Sequence, residues 1–391
     1  MISPYYTPTR VTFGENAEEN VGKEIKRENA KCVLIHYGSS RTEKSGLLGK
    51  VRSLIEKEGI KTVCLGGVKP NPRLSLVRKG IELAKKEKVD FILALGGGSV
   101  IDSAKAIGYG LYNRNTDVWD IYDKKAEAEG CTPLGVILTL SATGSEMSDS
   151  SVITNEDGGL KRGYNNDKSR ARFALLNPVL TYTVPRYQTE AGSVDIAMHT
   201  IERFFHAGEG ISITDEIAGA LVKNVFEKAL ICIDNPENYE ARASLMWASS
   251  ISHNGLMAVG NDQRGDWACH NMEHELSGMF DIAHGAGLAI LFPHWSRYVY
   301  KENPERFALL GKLVFGIEEK GEEGALKTIE AFENVFRALE MPLSLKDAGI
   351  SVSDEQIDEM VWKATLGHRR TLGAFKMLSD DDMRAIFKAA R

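Results

Sequence analysis

No apolar run in this chain approaches the ~18 residues that a membrane-spanning helix needs, so no transmembrane segment is expected. The opening MISPYYTPTRVTFG lacks a basic region followed by an apolar one, and no secretory signal is read there. Cysteine is scarce: five in 391 residues, an odd number, with no Cys-x-x-Cys. That argues against a disulfide framework or a cysteine-built zinc site and points to a reducing, cytoplasmic compartment. Basic charge is also in deficit, 48 Lys and Arg against 54 Asp and Glu. With no cationic surplus to displace counterions from phosphates, a nucleic-acid partner is not expected. Repeats and low-complexity tracts are missing too. What remains is a soluble globular composition, 43% apolar and 26% charged, in a chain too long for one ordinary core. Two domains are expected, 1–185 and 186–391, divided near Pro185.

The first half alternates strand and helix. KCVLIHYG (31–38), KTVCLGGV (61–68), VDFILAL (89–95) and PLGVILTL (133–140) are compact apolar runs of the kind that parallel strands buried on both faces require. Amphipathic segments separate them, with Leu74, Val77, Ile81 and Ala84 forming one stripe. SSVITNEDGGLKRG reads as a hairpin turning at Asp157-Gly158, and RARFALLNP as a last strand. The pattern is that of a doubly wound α/β sheet, with ligands outside the carboxyl ends of its strands.

At one such end, Gly96-Gly97-Gly98-Ser99 leads straight into VIDSAKAIGYGL. Glycines permit positive φ and let a phosphate reach bare amides, and the helix N-terminus adds partial positive charge. Asp102 is expected in the first turn, capping free amides. Ile101 occupies the third glycine position of GxGxxG, so the dinucleotide fingerprint is incomplete. A second polar loop, Thr139 to Glu146, offers hydroxyls and amides, while Thr143–Glu146 also reads as a capped helix entry.

From Tyr187 onward amphipathic helices are expected, at 187–206, 215–232, 238–258, 266–279, 302–315, 323–340, 354–366 and 380–390. Asp195 and His199 are four apart, as are His270 and His274, so each pair shares a helix face. His284 follows ten residues later, past a helix end marked by Gly278 and Asp281. One carboxylate with several imidazoles is the donor set of an Fe or Zn site with room for a substrate oxygen. His270-x-x-Glu273-His274 also matches the inverted zinc-peptidase motif, with Glu273 as base, and supplies a rival reading from another class. That rival leaves the glycine loop and the Asp195/His199 pair without a purpose. Lone histidines such as His36, His253 and His294 read as satisfied polar groups.

The segments VTFG, KPNP, GGGSVIDSAK, LTLSATGSE, NPVLTYTVP, VDIAMHTIE and HNMEHELSGMFDIAHGAGLAI together resemble the iron-dependent (group III) alcohol dehydrogenases, especially butanol dehydrogenase-like members. The resemblance covers nearly the whole chain. It implies a Rossmann-like nucleotide domain followed by an all-α metal domain, an architecture shared with dehydroquinate synthase. It implies hydride transfer between NAD(P) and a short or medium primary alcohol or aldehyde such as butanol or butanal, with a polyol as the alternative substrate. Asp195, His199, His270 and His284 are the implied ligands of Fe(II) or Zn(II), and His274 an implied proton relay or substrate-orienting group. The pyrophosphate would lie on Gly97, Gly98 and Ser99 beside Asp102. Thr139, Leu140 and Thr143 would flank the nicotinamide and its ribose, and Asn71 the adenosine. Several relatives carry an Asp after the first strand; here Gly38-Ser39-Ser40-Arg41 has no acid, so NADP is expected over NAD. An apolar substrate pocket including Met257, Trp267 and Phe280 is expected, and a homodimer.

Overall fold

The computed structural model describes residues 5–206, 208, 210–260 and 265–391. They fall into two compact units, Tyr6–Thr183 and Val184–Arg391, Tyr5 going with the second.

The strands of the first unit are β1 (Arg10–Phe13), β2 (Cys32–Tyr37), β3 (Lys61–Leu65), β4 (Phe91–Gly96), β5 (Leu134–Leu138), β6 (Ser150–Asn155), β7 (Leu160–Asn165) and β8 (Phe173–Leu176). Its helices are α1 (Val21–Arg27), α2 (Arg41–Lys44), α3 (Leu47–Glu56), α4 (Leu74–Glu87), α5 (Gly98–Tyr112) and α6 (Val118–Tyr122). Six strands form one parallel sheet in the order β1-β8-β5-β4-β2-β3, and β6 and β7 make an antiparallel hairpin. Every residue of β2, β4, β5 and β8 is buried, which is why those runs are apolar without alternation. The edge strand β1 escapes sequence reading because it is four residues long and partly exposed. It forms by pairing with β8, from Arg10 opposite Phe173 to Phe13 opposite Leu176. Strand β2 has β3 on one side and β4 on the other, so the winding reverses between their carboxyl ends, where such sheets hold ligands.

The second unit contains α7 (Arg186–Phe204), α8 (Ser212–Asp234), α9 (Tyr239–His253), α10 (Ala268–Phe280), α11 (His284–Val299), α12 (Pro304–Phe315), α13 (Gly321–Ala338), α14 (Asp354–Ala364) and α15 (Asp380–Ala390). Among its described residues the only strand-like pairing is the bridge Leu372–Leu378. Helix α7 is buried from Thr189 through Phe204, the position of a helix surrounded by others. No helix was expected between 279 and 302, where α11 stands with Gly285, Gly287 and Pro293 inside it. Ala286 to Pro293 are all buried, and packing on all sides outweighs the weak propensity and the hydrogen bond that Pro293 removes. Of the two residues expected to mark the end of α10, Gly278 lies within the helix and Asp281, with a left-handed backbone (φ 53°), closes it. Met257 belongs to the helical core and Phe280 packs against that core.

His36, at the centre of the sheet, is fully buried between the Leu65 carbonyl (2.8 Å) and the Ser103 hydroxyl (2.8 Å). Burial lowers its imidazole to about 4, partly offset by the bond to Leu65. A depressed folded-state value means the unfolded chain takes up this proton first. The associated stability is therefore complete above roughly pH 6.5 and lost as pH falls toward 4, about 3 kcal/mol in all. In His36→Gln that component should vanish from urea-unfolding free energies measured across this window; an unchanged pH slope would place the acid sensitivity elsewhere.

Candidate metal centre and nucleotide loops

Helix α7 delivers Asp195 and His199 from successive turns, both buried, and α10 delivers His270, also buried. Donor atoms of these three residues lie within 4.8 Å of one another. From Asp195 Oδ1 the distances are 3.9 Å to His270 Nε2 and 3.8 Å to His284 Nε2. Ligands held about 2.1 Å from a tetrahedral centre are about 3.4 Å apart. Asp195 Oδ1 and His270 Nε2 are moreover buried with no hydrogen-bond partner. His199 Nδ1, 3.1 Å from that oxygen, bonds the Asp195 carbonyl at 2.8 Å, which leaves Nε2 for other work. Orphaned donors converging on one point are what a divalent cation requires, so the residues present fit Fe(II) or Zn(II).

The electrostatics agree. Burial, and then the charges of His199 and His284, push the His270 imidazole well below its ordinary value, which keeps it neutral as a ligand must be. Burial would raise the Asp195 carboxyl, but the facing imidazoles of His199 and His284 hold it well below the usual carboxylate range.

His284 opens α11, and Gly285 sets how near that helix comes. A Cβ on Gly285 would fall 1.8 Å from the Ala191 carbonyl of α7, and one on Gly287 would fall 2.7 Å from Glu273 Cγ. The two glycines are thus contact surfaces. His274, on α10, is half-buried with its ring centroid 5.7 Å from that of His284. Glu273, His274 and His284 form a second group of close donors.

Two carboxylates orient this set, and sequence reading missed one of them. Glu202, buried on α7, accepts from the backbone amide of His270 (3.1 Å) and bonds its Nδ1 (2.9 Å). Its signal was available, since Asp195-x-x-x-His199-x-x-Glu202 continues the same helix face. Glu273, fully buried, bonds His284 Nδ1 and the Ser277 hydroxyl. That placement removes the peptidase reading: Glu273 is a partner of an imidazole, unavailable as a base for water. Trp267, expected in a substrate pocket, has its ring near His199 and His270; unforeseen was Arg203, whose guanidinium lies 4.4 Å from the Trp267 ring centroid.

In the sheet unit the glycine loop leaves β4 at its carboxyl end. None of Gly96, Gly97 and Gly98 adopts positive φ, so of the two reasons expected for glycine here the conformational one is corrected. A Cβ would lie 2.5 Å from Val100 at Gly96, 3.0 Å from Leu140 at Gly97 and 2.4 Å from Thr143 at Gly98. The glycines let the two loops touch, which brings Gly97, Gly98, Leu140 and Thr143 together. Thr139 anchors the contact by donating its amide to the Gly96 carbonyl at 3.1 Å. The first backbone bonds of α5 run from Val100 and Ile101 to Gly97, so the amides of Gly98 and Ser99 precede them and suit an anion.

Asp102 lies one residue beyond the first turn of α5 and caps nothing there. Its carboxylate, raised by burial, accepts from the Ser145 hydroxyl (2.6 Å) and the Val152 amide (3.0 Å). No helix starts at Thr143–Glu146. Instead the buried Lys105 ammonium gathers that loop, donating to Ser145 O, Ser145 Oγ, Ser148 O and Ser150 O at 2.7–3.1 Å. At the end of β2, Gly38 is half-buried and Ser39 and Ser40 are exposed. Arg41 donates to the Thr183 carbonyl at 3.1 Å, and Glu43 accepts from the Tyr37 hydroxyl at 2.5 Å. Asn71 is buried with a left-handed backbone (φ 53°), a conformation asparagine tolerates.

A glycine loop at the strand ends of a parallel sheet and a carboxylate–imidazole cluster on a helical unit are the parts of a metal-dependent nicotinamide oxidoreductase. Comparison with known proteins gives the particular kind. Residues 8–178 match the family described as iron-containing alcohol dehydrogenase, and residues 189–391 the C-terminal part of the Fe-containing alcohol dehydrogenase family. The chain belongs to the iron-containing alcohol dehydrogenase family. It is 38% identical to NADH-dependent butanol dehydrogenase A of Clostridium acetobutylicum, over 98% of each chain. Against NADPH-dependent aldehyde reductase YqhD of Escherichia coli it is 34% identical, over 99% of this chain and 98% of the other. The crystal structure of NADH-dependent butanol dehydrogenase A from Thermotoga maritima, 41% identical, superposes with a TM-score of 0.95 over all of this chain and 98% of that one.

Because Glu202 fixes both the backbone and the ring of His270, Glu202→Gln should weaken metal binding by roughly 10- to 100-fold. Chelator competition on the purified protein measures this, with melting of the metal-free form as the control for folding. Equal affinity in the two proteins would make Glu202 a packing residue only.

Proposed function

We propose that this chain catalyses reversible hydride transfer between a nicotinamide dinucleotide and a short or medium primary alcohol or aldehyde, such as butanol and butanal. Asp195, His199, His270 and His284 hold Fe(II) or Zn(II) in this reading. Its main support is the pair of unpartnered buried atoms, Asp195 Oδ1 and His270 Nε2, aimed into one cluster of imidazoles. A divalent ion there supplies Lewis acidity toward the substrate oxygen. The chain's own residues do the rest. With His270 kept neutral by burial and Asp195 kept ionised, a bound divalent ion would retain net positive charge. His274, half-buried beside His284, orients the substrate hydroxyl or passes on its proton. The amides of Gly98 and Ser99, with Gly97, receive the pyrophosphate, while Thr139, Leu140 and Thr143 flank the nicotinamide ribose and Asn71 the adenosine. Asp102 and Lys105 act one layer back, holding the second loop against the first. The family description names iron, and an imidazole–carboxylate set accepts zinc as well.

For the choice of nucleotide we replace the expectation of NADP. Arg41, invoked for a 2′-phosphate, is engaged by the Thr183 carbonyl. The exposed Glu43 carboxylate accepts from the Tyr37 hydroxyl, in the segment that follows β2. A carboxylate there repels a phosphate and accepts from a ribose hydroxyl. The butanol dehydrogenases of C. acetobutylicum and T. maritima are named NADH-dependent, which also favours NAD. No helix among the described residues is long and apolar enough to cross a membrane, and all five cysteines are free. We keep the reading of a cytoplasmic homodimer as a proposal, its assembly to be measured by sedimentation.

Two outcomes follow. Asp195→Ala and His270→Ala should each abolish alcohol oxidation while leaving nucleotide binding, read by calorimetry, within about threefold of the parent; surviving turnover in metal-stripped variants would exclude the metal role. With butanal, kcat/KM should favour NADH over NADPH by about tenfold or more, roughly 1.4 kcal/mol. Glu43→Gln should narrow that ratio, whereas a parent preferring NADPH would restore the original expectation.

A further inference from the structure

The rings around the metal cluster include one that the ligand set does not explain. His253 ends α9 and is half-buried. Its ring centroid lies 4.2 Å from that of His199, the planes inclined by 34°. On another side it stacks with Trp267, at 6.0 Å and 29°. Trp267 in turn meets His199 at 6.2 Å and 62° and His270 at 5.1 Å and 68°. His253 is absent from both groups of close donor atoms among the described residues.

Trp267 is itself held in place. Its backbone is left-handed (φ 64°), an uncommon and strained state for a bulky residue, kept only where the surroundings impose it. Arg203 lies over its ring and also donates to the His199 carbonyl at 2.7 Å. A fixed indole thus backs His253, and His253 covers a face of His199.

An imidazole turns easily about its last side-chain torsion, where the energy wells are broad. Carboxylates orient His270 and His284 through their outer nitrogens, whereas His199 relies on the main-chain carbonyl of Asp195. A single hydrogen bond fixes direction but leaves the ring free to rock about it; a ring stacked on its face removes that freedom.

We propose that His253 is a positioning residue of the metal centre, whose ring, backed by Trp267, sets the plane of the His199 imidazole before the ion binds. This rests on the reading of Asp195, His199, His270 and His284 as ligands. The face of the ring does the work, so an aromatic hydrocarbon can replace it.

The test is Co(II) titration of the metal-free full chain, followed by visible d–d absorption and by the rate of Co(II) loss to a chelator. His253→Ala should raise the dissociation constant about 10-fold and speed the loss, while His253→Phe should stay within about 3-fold of the parent. An unchanged constant in His253→Ala would overturn the proposal. So would a His253→Phe protein as weak as the alanine variant, since a ring nitrogen would then be what matters. A parent that takes up no Co(II) would instead sink the ligand reading beneath it. Melting of the metal-free variants separates either result from a loss of fold.

Discussion

One buried oxygen governs the helical unit. Asp195 Oδ1 has three imidazole nitrogens within 4 Å and no hydrogen bond of its own. A carboxylate taken out of water without a partner costs several kcal/mol, so an interior that retains one is built around a cation. The surroundings follow from that need. Helix α7 is enclosed because it carries the carboxylate, and Glu202 and Glu273 are enclosed because they steady the imidazoles facing it. Strain at Trp267 is accepted in the same neighbourhood.

The sheet unit answers a different demand, closeness of backbone to ligand. Gly96, Gly97 and Gly98 have ordinary dihedrals and are needed because Val100, Leu140 and Thr143 occupy the space a side chain would take. Behind them, Lys105 turns four oxygens of the neighbouring loop toward itself and Asp102 takes a hydroxyl and an amide. Both are charged groups spent inside the protein on holding a loop in shape. A ligand at the strand ends therefore meets a surface already assembled.

Much of this was legible in the sequence, for reasons that differ by element. Buried parallel strands announce themselves as apolar runs, and α7 and α10 by donors spaced four apart. The short edge strand β1 has no pattern of its own, because it exists through its pairing with β8. Helix α11 was not expected: its glycines and proline have weak helix propensity, and burial decides. Asp102 was assigned to its own helix when its partners lie 43 and 50 residues further on. His253 looked like a solitary polar group because only folding sets it on His199. The peptidase motif matched by letter and failed by orientation, since Glu273 turns to His284.

Gly285 leaves one matter to draw out. Helix α11 meets α7 through bare main chain, so the gap between those two rods is set by atoms that every amino acid shares. The seat at position 284 is accordingly a socket of fixed depth, with Glu273 beneath it matched to an imidazole. A designer wanting a softer or harder ion would have to exchange that donor together with Glu273, and would inherit the spacing of the two rods.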